Sequence, residues 1–278
     1  MISLKDKTVL VTGGAQGIGK GLARACLQEG ANVFITNLDK EIARKTIKEL
    51  SNLGNIVAIN CDATNETAVD EMLDQVWDAA GTIDVVFCNA GAGSMQPILE
   101  TSLADVRTQF AINYDACIYL TTSYVNRMLK SQQMGHIMFT GSEHSLALPQ
   151  GSESLAMSIY AGTKHALLAF AEWLRNELED TAISVSMLLP GPVKTERLAN
   201  TFELLDQDPN DKELRKRFSV EAEEALRSRF ISPELCANIA LKGLKANLFF
   251  IPVQSHIKED ILKRHEEIIN AFSILDLD

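Results

Sequence analysis

No stretch of this 278-residue chain reaches the roughly 18 unbroken apolar residues that a membrane-spanning helix needs. The opening segment Met1–Lys7 carries charge and no apolar h-region, so a soluble, cytoplasmic protein is expected. Positive charge is also scarce. Against 37 Asp and Glu stand 26 Lys and Arg, a net charge of −11 at pH 7, and such a field repels phosphate backbones and anionic lipid. Nucleic acid and membranes are therefore not expected as partners, and a small-molecule substrate is. The five cysteines, Cys26, Cys61, Cys88, Cys117 and Cys236, are odd in number, far apart and set among apolar residues. That pattern fits buried, reduced thiols better than a disulfide framework or a zinc site. His136, His165, His256 and His265 show no ligand-like spacing, so no metal is expected. Internal repeats and low-complexity segments are absent as well.

What the chain does have is alternation. Apolar runs of strand length are each followed by a stretch of helical period: Thr8–Thr12 then Ile18–Glu29, Asn32–Thr36 then Asp39–Leu53, Ile56–Asn60 then Glu66–Ala80. After Ile83–Cys88 come a loop and two helical stretches reaching Gln132, then His136–Gly141, Ile159–Asp180 and Ala182–Leu189. Near-continuous apolar strands such as VLVT and VVFC suit a parallel sheet covered on both faces. The expected fold class is therefore α/β, a Rossmann-type doubly wound parallel sheet with helices on both faces, in a single domain over residues 1–278. Thr195–Phe230, charged and weakly periodic after Pro190-Gly191-Pro192, reads as a helical lid over a substrate (195–230). Ser232-Pro233 marks a helix start, Leu248–Pro252 a last strand, and 257–272 a C-terminal helix. Its apolar face, Ile257, Ile261, Leu262, Ile268, Ile269 and Phe272, is expected to pack on the body or on a second subunit.

Directly after the first strand stands Thr12-Gly13-Gly14-Ala15-Gln16-Gly17-Ile18-Gly19, with a helix opening at its end. A dinucleotide diphosphate needs this arrangement, because free N–H groups at a helix N-terminus attract anions and only glycine lets backbone and phosphate approach. As a bare pattern it is equally well a tight turn; its place between strand and helix favours nucleotide binding. Gly13, Gln16, Gly17, Ile18 and Gly19 are the candidate contacts. The acidic group usual for the adenosine ribose belongs at the end of the second strand. Here that place holds Asn37, which can bond a ribose hydroxyl but has no charge to exclude a 2′-phosphate. Gln16 and Leu38 stand where arginine would help bind that phosphate, while Lys40 and Arg44 lie nearby. NAD is favoured, with NADP as the alternative.

Tyr160 and Lys164 stand one turn apart on the long helix after the fifth strand. Hydride chemistry on an alcohol needs a group that takes or returns the hydroxyl proton, and an ammonium beside a phenol favours the phenolate. Taken alone the pair is ordinary: a packed ring and a solvated ammonium. Its context changes that reading, because Ser142 lies just past the fifth strand, where a hydroxyl could bind the reacting oxygen, and Asn113 enters the preceding helix.

Taken together, TGGAQGIG at Thr12–Gly19, Asp62, Asn89-Ala90-Gly91, Asn113, Ser142, Tyr160/Lys164 and PGPVKT at Pro190–Thr195 resemble the short-chain dehydrogenases/reductases over nearly the entire chain. The resemblance implies an NAD(P)-dependent oxidoreductase moving a hydride between the nicotinamide and a secondary alcohol or ketone. It makes Tyr160 the acid/base, Ser142 the polariser of the substrate oxygen, and Lys164 a ligand of the nicotinamide ribose. Asn113 would hold a water linking Lys164 to solvent. Asp62 and Ala63 would face the adenine, Asn89, Ala90 and Gly91 back the cofactor, and Pro190, Gly191, Val193 and Thr195 border the nicotinamide. A homodimer or homotetramer is implied, with helices Asn113–Gln132 and Ile159–Asp180 as the pairing surfaces.

Two departures from the family pattern stand out. One is Asn37; the other is the segment from Glu143 to Ser158, about five residues longer than usual, which brings in Ser145 as a competitor for Ser142 and His144 as a candidate substrate contact. The longer loop and the lid predict room for a bulky aromatic or alicyclic alcohol. A 3-oxoacyl carrier-protein reductase shares the catalytic residues, but it must attract an acidic carrier, which the net charge opposes unless Arg215–Arg217 or Arg227–Arg229 form a basic patch. A non-catalytic dinucleotide sensor is a third reading, against which both Tyr160 and Lys164 are present.

Overall fold

A computed structural model describes residues 3–93 and 95–277, with every side chain there except those of Glu153, Lys216 and Arg217. The first strands are short and apolar: β1 (Thr8–Val11), β2 (Asn32–Asn37), β3 (Ile56–Asn60) and β4 (Val85–Cys88). β5 (Gly135–Thr140), β6 (Ile183–Leu189) and β7 (Phe250–Pro252) complete one sheet of order β3-β2-β1-β4-β5-β6-β7, each pair parallel. This is the doubly wound α/β fold. Its strand order reverses between β1 and β4, which opens a crevice at the strands' carboxyl ends.

Because strand side chains alternate between faces, neighbouring residues of β1 enter different cores. Leu10 joins Phe34, Val86 and Phe139 under α3 (Glu66–Ala80), α5 (Ala116–Ser131) and α6 (Ser158–Glu177). Val9 and Val11 join Val33, Phe87 and Met138 under α1 (Gly17–Gln28), α2 (Lys40–Leu50) and α10 (Pro233–Lys245). The helices begin where their caps stand. Asp39 accepts from the N–H groups of Glu41 and Ile42, Asn65 from that of Ala68, and Ser232 from that of Leu235, with Pro233 in the first turn.

Three sequence expectations change. α2 ends at Leu50, short of Leu53, because residues 51–53 turn away. The two helical stretches expected before Gln132 are α4 (Leu103–Phe110) and α5, joined without a break by a π-turn at Ala111–Asp115, so Asn113 lies in the junction and not at the start of a helix. Of the two surfaces expected to take the apolar face of the C-terminal helix α11 (Ile257–Ile274), body or second subunit, the body takes little. Only Ile257 is buried there, while Leu262, Ile268, Ile269 and Phe272 stay about half exposed or more. Polar contacts set its orientation instead: Arg264 donates to the Leu146 carbonyl and the Gln150 N–H to Asp260.

Residues 195–230 form α7 (Glu196–Gln207), α8 (Lys212–Arg217) and α9 (Val220–Arg229), which share a small core with the loop before α6. Phe202, Leu205, Phe218 and Ala222 pack there with Leu155, and Met95 and Met157 lean on it. Among the described residues no helix is long and apolar enough to cross a membrane, and no group of His, Cys, Asp and Glu could hold a metal.

Candidate active site

The glycine turn is held from both sides by the ends of neighbouring strands. Thr12 Oγ1 donates to the Phe87 carbonyl and accepts from the N–H groups of Asn89 and Ala90, each at 3.0 Å. Asn89 Nδ2 donates to the Thr12 carbonyl at 3.0 Å, and Thr140 Oγ1 donates to Asn89 Oδ1 at 3.1 Å. The ends of β1, β4 and β5 are thereby fixed to one another. A Cβ on Gly19 would lie 2.3 Å from the Gly13 carbonyl oxygen and 2.6 Å from Asn89 Nδ2, so only glycine fits. Gly13 and Gly17 both have positive φ. Gln16 is exposed at the N-cap of α1 and makes no capping bond, and Ile18 is half-buried. A cradle that a side chain would fill, at a helix N-terminus, fits a dinucleotide diphosphate.

An acidic side chain that sequence reasoning missed also lies here. Glu196, first residue of α7, accepts from the Gly17 N–H at 2.7 Å, with Lys20 Nζ 3.8 Å away. On the adenosine side, Asn37 Nδ2 donates to the Asp39 carbonyl at 2.9 Å, so its amide is turned into the β2–α2 connection. Arg44 pairs with Glu41. Asp62 Oδ1 accepts from the N–H and hydroxyl of Thr64. Ala63 lines an apolar recess with Thr36, Cys61, Ala90, Ala116 and Leu120.

Lys164 is buried, and its Nζ donates to the Thr140 carbonyl at 2.9 Å. It stands 5.7 Å from the centre of the Tyr160 ring. Asn113, in the π-turn and fully buried, is held from two sides: Oδ1 accepts from the Ala92 N–H at 3.0 Å, and Nδ2 donates to the Ala92 carbonyl at 2.8 Å. A Cβ on Gly91 would lie 2.8 Å from Asn113 Oδ1 and 3.6 Å from Lys164 Nζ, so both side chains converge beside Gly91. A π-turn inside an α-helix is a frequent companion of functional sites because it shifts the residues that follow relative to a regular helix.

The Tyr160 ring is half-buried, with Gly93 on one side and the His144 ring edge-on at 6.2 Å on another. Burial pushes His144 down to about 4, so it is neutral near pH 7. Ser142 is buried at the end of β5 and its Oγ accepts from the His144 N–H. Ser145, its competitor, donates to the Lys164 carbonyl at 3.0 Å and serves to tie the loop to α6.

The Pro190–Thr195 segment lies across the crevice mouth. Thr195 caps α7 through the Leu198 N–H and packs against Gly17; Val193 bridges to Ile231. Behind it, Glu143 donates its N–H to the Pro190 carbonyl and buries its carboxylate, which burial pushes up to about 7. Glu143 Oε2 lies 2.7 Å from His256 Nε2, too poorly aligned for a hydrogen bond, and burial lowers that histidine's affinity for protons. Glu143, Glu196, Gln254 and His256 carried no local sequence signal, since each acts on a partner far away in the chain.

A doubly wound fold with a glycine cradle and a Tyr–Lys pair at the carboxyl ends of its strands defines a nicotinamide-dependent oxidoreductase. A family model described as short chain dehydrogenase matches residues 7–205, and the chain belongs to that family. It is 34% identical, over 69% of its length and 69% of the relative's, to a 1-deoxy-11-beta-hydroxypentalenate dehydrogenase of Streptomyces exfoliatus. It is 28% identical, over 84% of the chain and 90% of the relative, to an (S)-acetoin-forming diacetyl reductase of Staphylococcus epidermidis. A short-chain dehydrogenase/reductase from Burkholderia phymatum, solved in complex with NAD, shares the fold at a TM-score of 0.84 and 23% identity, covering 98% of this chain and 97% of that one.

Proposed function

We propose that Tyr160 is the acid/base of a secondary-alcohol dehydrogenase, with Ser142 binding the reacting oxygen and Lys164 holding the cofactor ribose. The observation that carries this is the convergence of Lys164, Asn113 and the Tyr160 ring beside Gly91–Gly93. The bound nicotinamide would supply hydride acceptance and return. The protein's own part is to hold the alcohol oxygen between the Ser142 and Tyr160 hydroxyls and to move its proton at the Tyr160 oxygen. The Lys164 ammonium favours negative charge developing there. Asn113, engaged by Ala92 through its side chain, fixes the 89–93 segment that would back the cofactor.

NAD is the favoured cofactor. Gly13, Gly17 and Gly19 with Gln16 and Ile18 would take its diphosphate, Ala63 and Asp62 its adenine, and Asn37 its ribose. Arg44 is already paired with Glu41, which weakens the case for a 2′-phosphate. A bulky aromatic or alicyclic alcohol is the favoured substrate, because the lengthened 143–158 loop and the proposed 195–230 lid share one apolar core that would close over it. The relatives include both a dehydrogenase and a reductase, so both directions of the chemistry occur among them. The carrier-protein alternative is weakened: Arg215 pairs with Glu223, and Arg227 with Glu223 and Asp206, which leaves Arg229 of the two basic segments, while the Lys216 and Arg217 side chains lie outside the described residues. A homo-oligomer would cover the exposed apolar side of α11.

The test is calorimetry with NAD and NADP, then an absorbance screen of secondary alcohols with the preferred cofactor. Tyr160→Phe is expected to lower kcat by about 10³-fold while cofactor affinity stays within about twofold of wild type. Turnover that survives this substitution would refute the assignment.

A further inference from the structure

Three hydrogen bonds gather on one side chain that none of the sequence motifs contains. Gln254 follows β7. Its Oε1 accepts from the Gly191 N–H at 2.8 Å, and its Nε2 donates to the carbonyls of Pro192 at 3.0 Å and Arg229 at 3.4 Å. One amide thus holds both sides of the Pro190–Pro192 turn and the last carbonyl of α9.

The turn has few other holds of its own. Its two prolines have no N–H to donate, so Gly191 carries the only amide donor of the three residues. Gln254 takes that donor. Gly191 is also hemmed in: a Cβ there would lie 2.3 Å from Glu143 Oε2 and 3.1 Å from Gln254 Oε1. The remaining ties are the Glu143 N–H to the Pro190 carbonyl and the Ile231 N–H to the Pro192 carbonyl. Glu143 directly follows Ser142, and Ile231 directly follows the proposed lid. The turn therefore sits at the junction of serine loop, lid and tail, and Gln254 is the side chain that reaches both the turn and the lid's end.

We propose that Gln254 is a positioning residue: it sets the height of the Pro190–Pro192 turn against the nicotinamide end of the cofactor and fastens the exit of the lid to that turn. This rests on the reading that Pro190–Thr195 borders the nicotinamide. Gln254 bonds to nothing on the adenosine side, so its loss should be felt at one end of the dinucleotide only.

The experiment uses the full chain and two probes, NADH and ADP-ribose, the second carrying the adenosine and both phosphates without the nicotinamide. Gln254→Met keeps the side chain's length and removes its donor and acceptor. Losing bonds worth about 1 kcal/mol each is expected to raise the Kd for NADH about tenfold, leave that for ADP-ribose within about twofold, and lower kcat in step. Equal weakening of both probes would mean a general loosening of the fold, and no change in either would mean that the turn holds itself; each result overturns the proposal. If Gln254→Met does not fold, Gln254→Glu, which keeps an acceptor for the Gly191 N–H, is put through the same pair of titrations. There a loss confined to NADH supports the proposal, and a loss shared by both probes or absent from both overturns it. A wild-type protein that binds NADH no more tightly than ADP-ribose would remove the premise itself, and so is distinguishable from failure of Gln254 alone.

Discussion

The glycine turn and the helical segment 195–230 are held by opposite means. In the turn, backbone meets backbone: Gly19 against the Gly13 carbonyl, Gly13 against Ala90, with Thr12 and Asn89 stitching three strand ends together. In the helical segment, side chains meet side chains, in a core separate from the two that sandwich the sheet. Phe202 lies edge-on to Phe218 at 5.6 Å and to Phe230 at 5.3 Å, with the Arg227 guanidinium 4.6 Å above its ring. A backbone-built site is preformed and tolerates no added atom. A satellite core of a few aromatic rings can open and close without disturbing the sheet.

The contrast breaks most visibly at Gly19. Gly19→Ala places a Cβ 2.3 Å from the Gly13 carbonyl oxygen and 2.6 Å from Asn89 Nδ2, the first backbone and the second an amide tied to the Thr12 carbonyl. Cofactor affinity measured by calorimetry should fall by about 100-fold or more, since the helix N-terminus must shift from the diphosphate. Retained affinity would show that the turn can yield without losing the diphosphate.

Glu143 tests the seam between the two regions through pH. Its folded-state pKa of about 7 is raised by burial from 4.5, so its stabilising effect is complete below about pH 4.5 and is lost as pH rises through 7. His136 and His144, both lowered by burial from 6.5 to about 4, act the other way: their contribution is present above pH 6.5 and is lost toward pH 4. His256, also lowered by burial, acts in the same sense, so three histidines oppose Glu143 below pH 6.5, and of these four groups only Glu143 acts just above it. Wild-type stability should therefore peak near pH 6.5. Glu143→Gln should flatten the alkaline side, gaining about 2 kcal/mol at pH 8 and almost nothing at pH 5. Urea melts across that range measure it, and an unchanged alkaline slope would place the proton elsewhere.

Phe202→Ala acts on the satellite core alone. A buried aromatic lost there costs about 3–5 kcal/mol of local packing, and the expected outcome is about a tenfold rise in KM for a bulky alcohol with the Kd for NAD unchanged. A matching loss of NAD affinity would show that lid and cradle are one unit.

The same contrast explains what could be read from the sequence. The strands and the Gly13–Gly19 turn were legible because period and spacing are local: Val9, Leu10 and Val11 each face a core that the next residue does not. Ser142 was separable from Ser145 by its place at the strand end, and the structure gives Ser145 a different partner, the Lys164 carbonyl. Residues that act across the chain were not legible. Gln254 stands 63 positions from the Gly191 N–H it accepts, and Glu196 stands 179 from that of Gly17. A π-turn at Ala111–Asp115 has no compositional mark, so the junction that holds Asn113 was not legible either.

Glu196 supplies the smallest expected effect and the sharpest test of whether the two regions communicate. It is the first residue of α7, in the segment proposed as a lid, yet its carboxylate rests on the Gly17 N–H, the amide expected to face the diphosphate. Two anions cannot share one donor in that space, so a diphosphate taking the Gly17 N–H would displace the Glu196 carboxylate from it. Glu196→Gln removes the charge but leaves an acceptor of similar reach; hydrogen bonds to charged groups exceed neutral ones by about 1 kcal/mol. NAD should bind about threefold more tightly, and the gain should shrink as salt screens the competing carboxylate, which is half exposed. Unchanged affinity at low salt would mean that diphosphate and carboxylate do not compete, and that the lid closes without sensing what lies in the cradle.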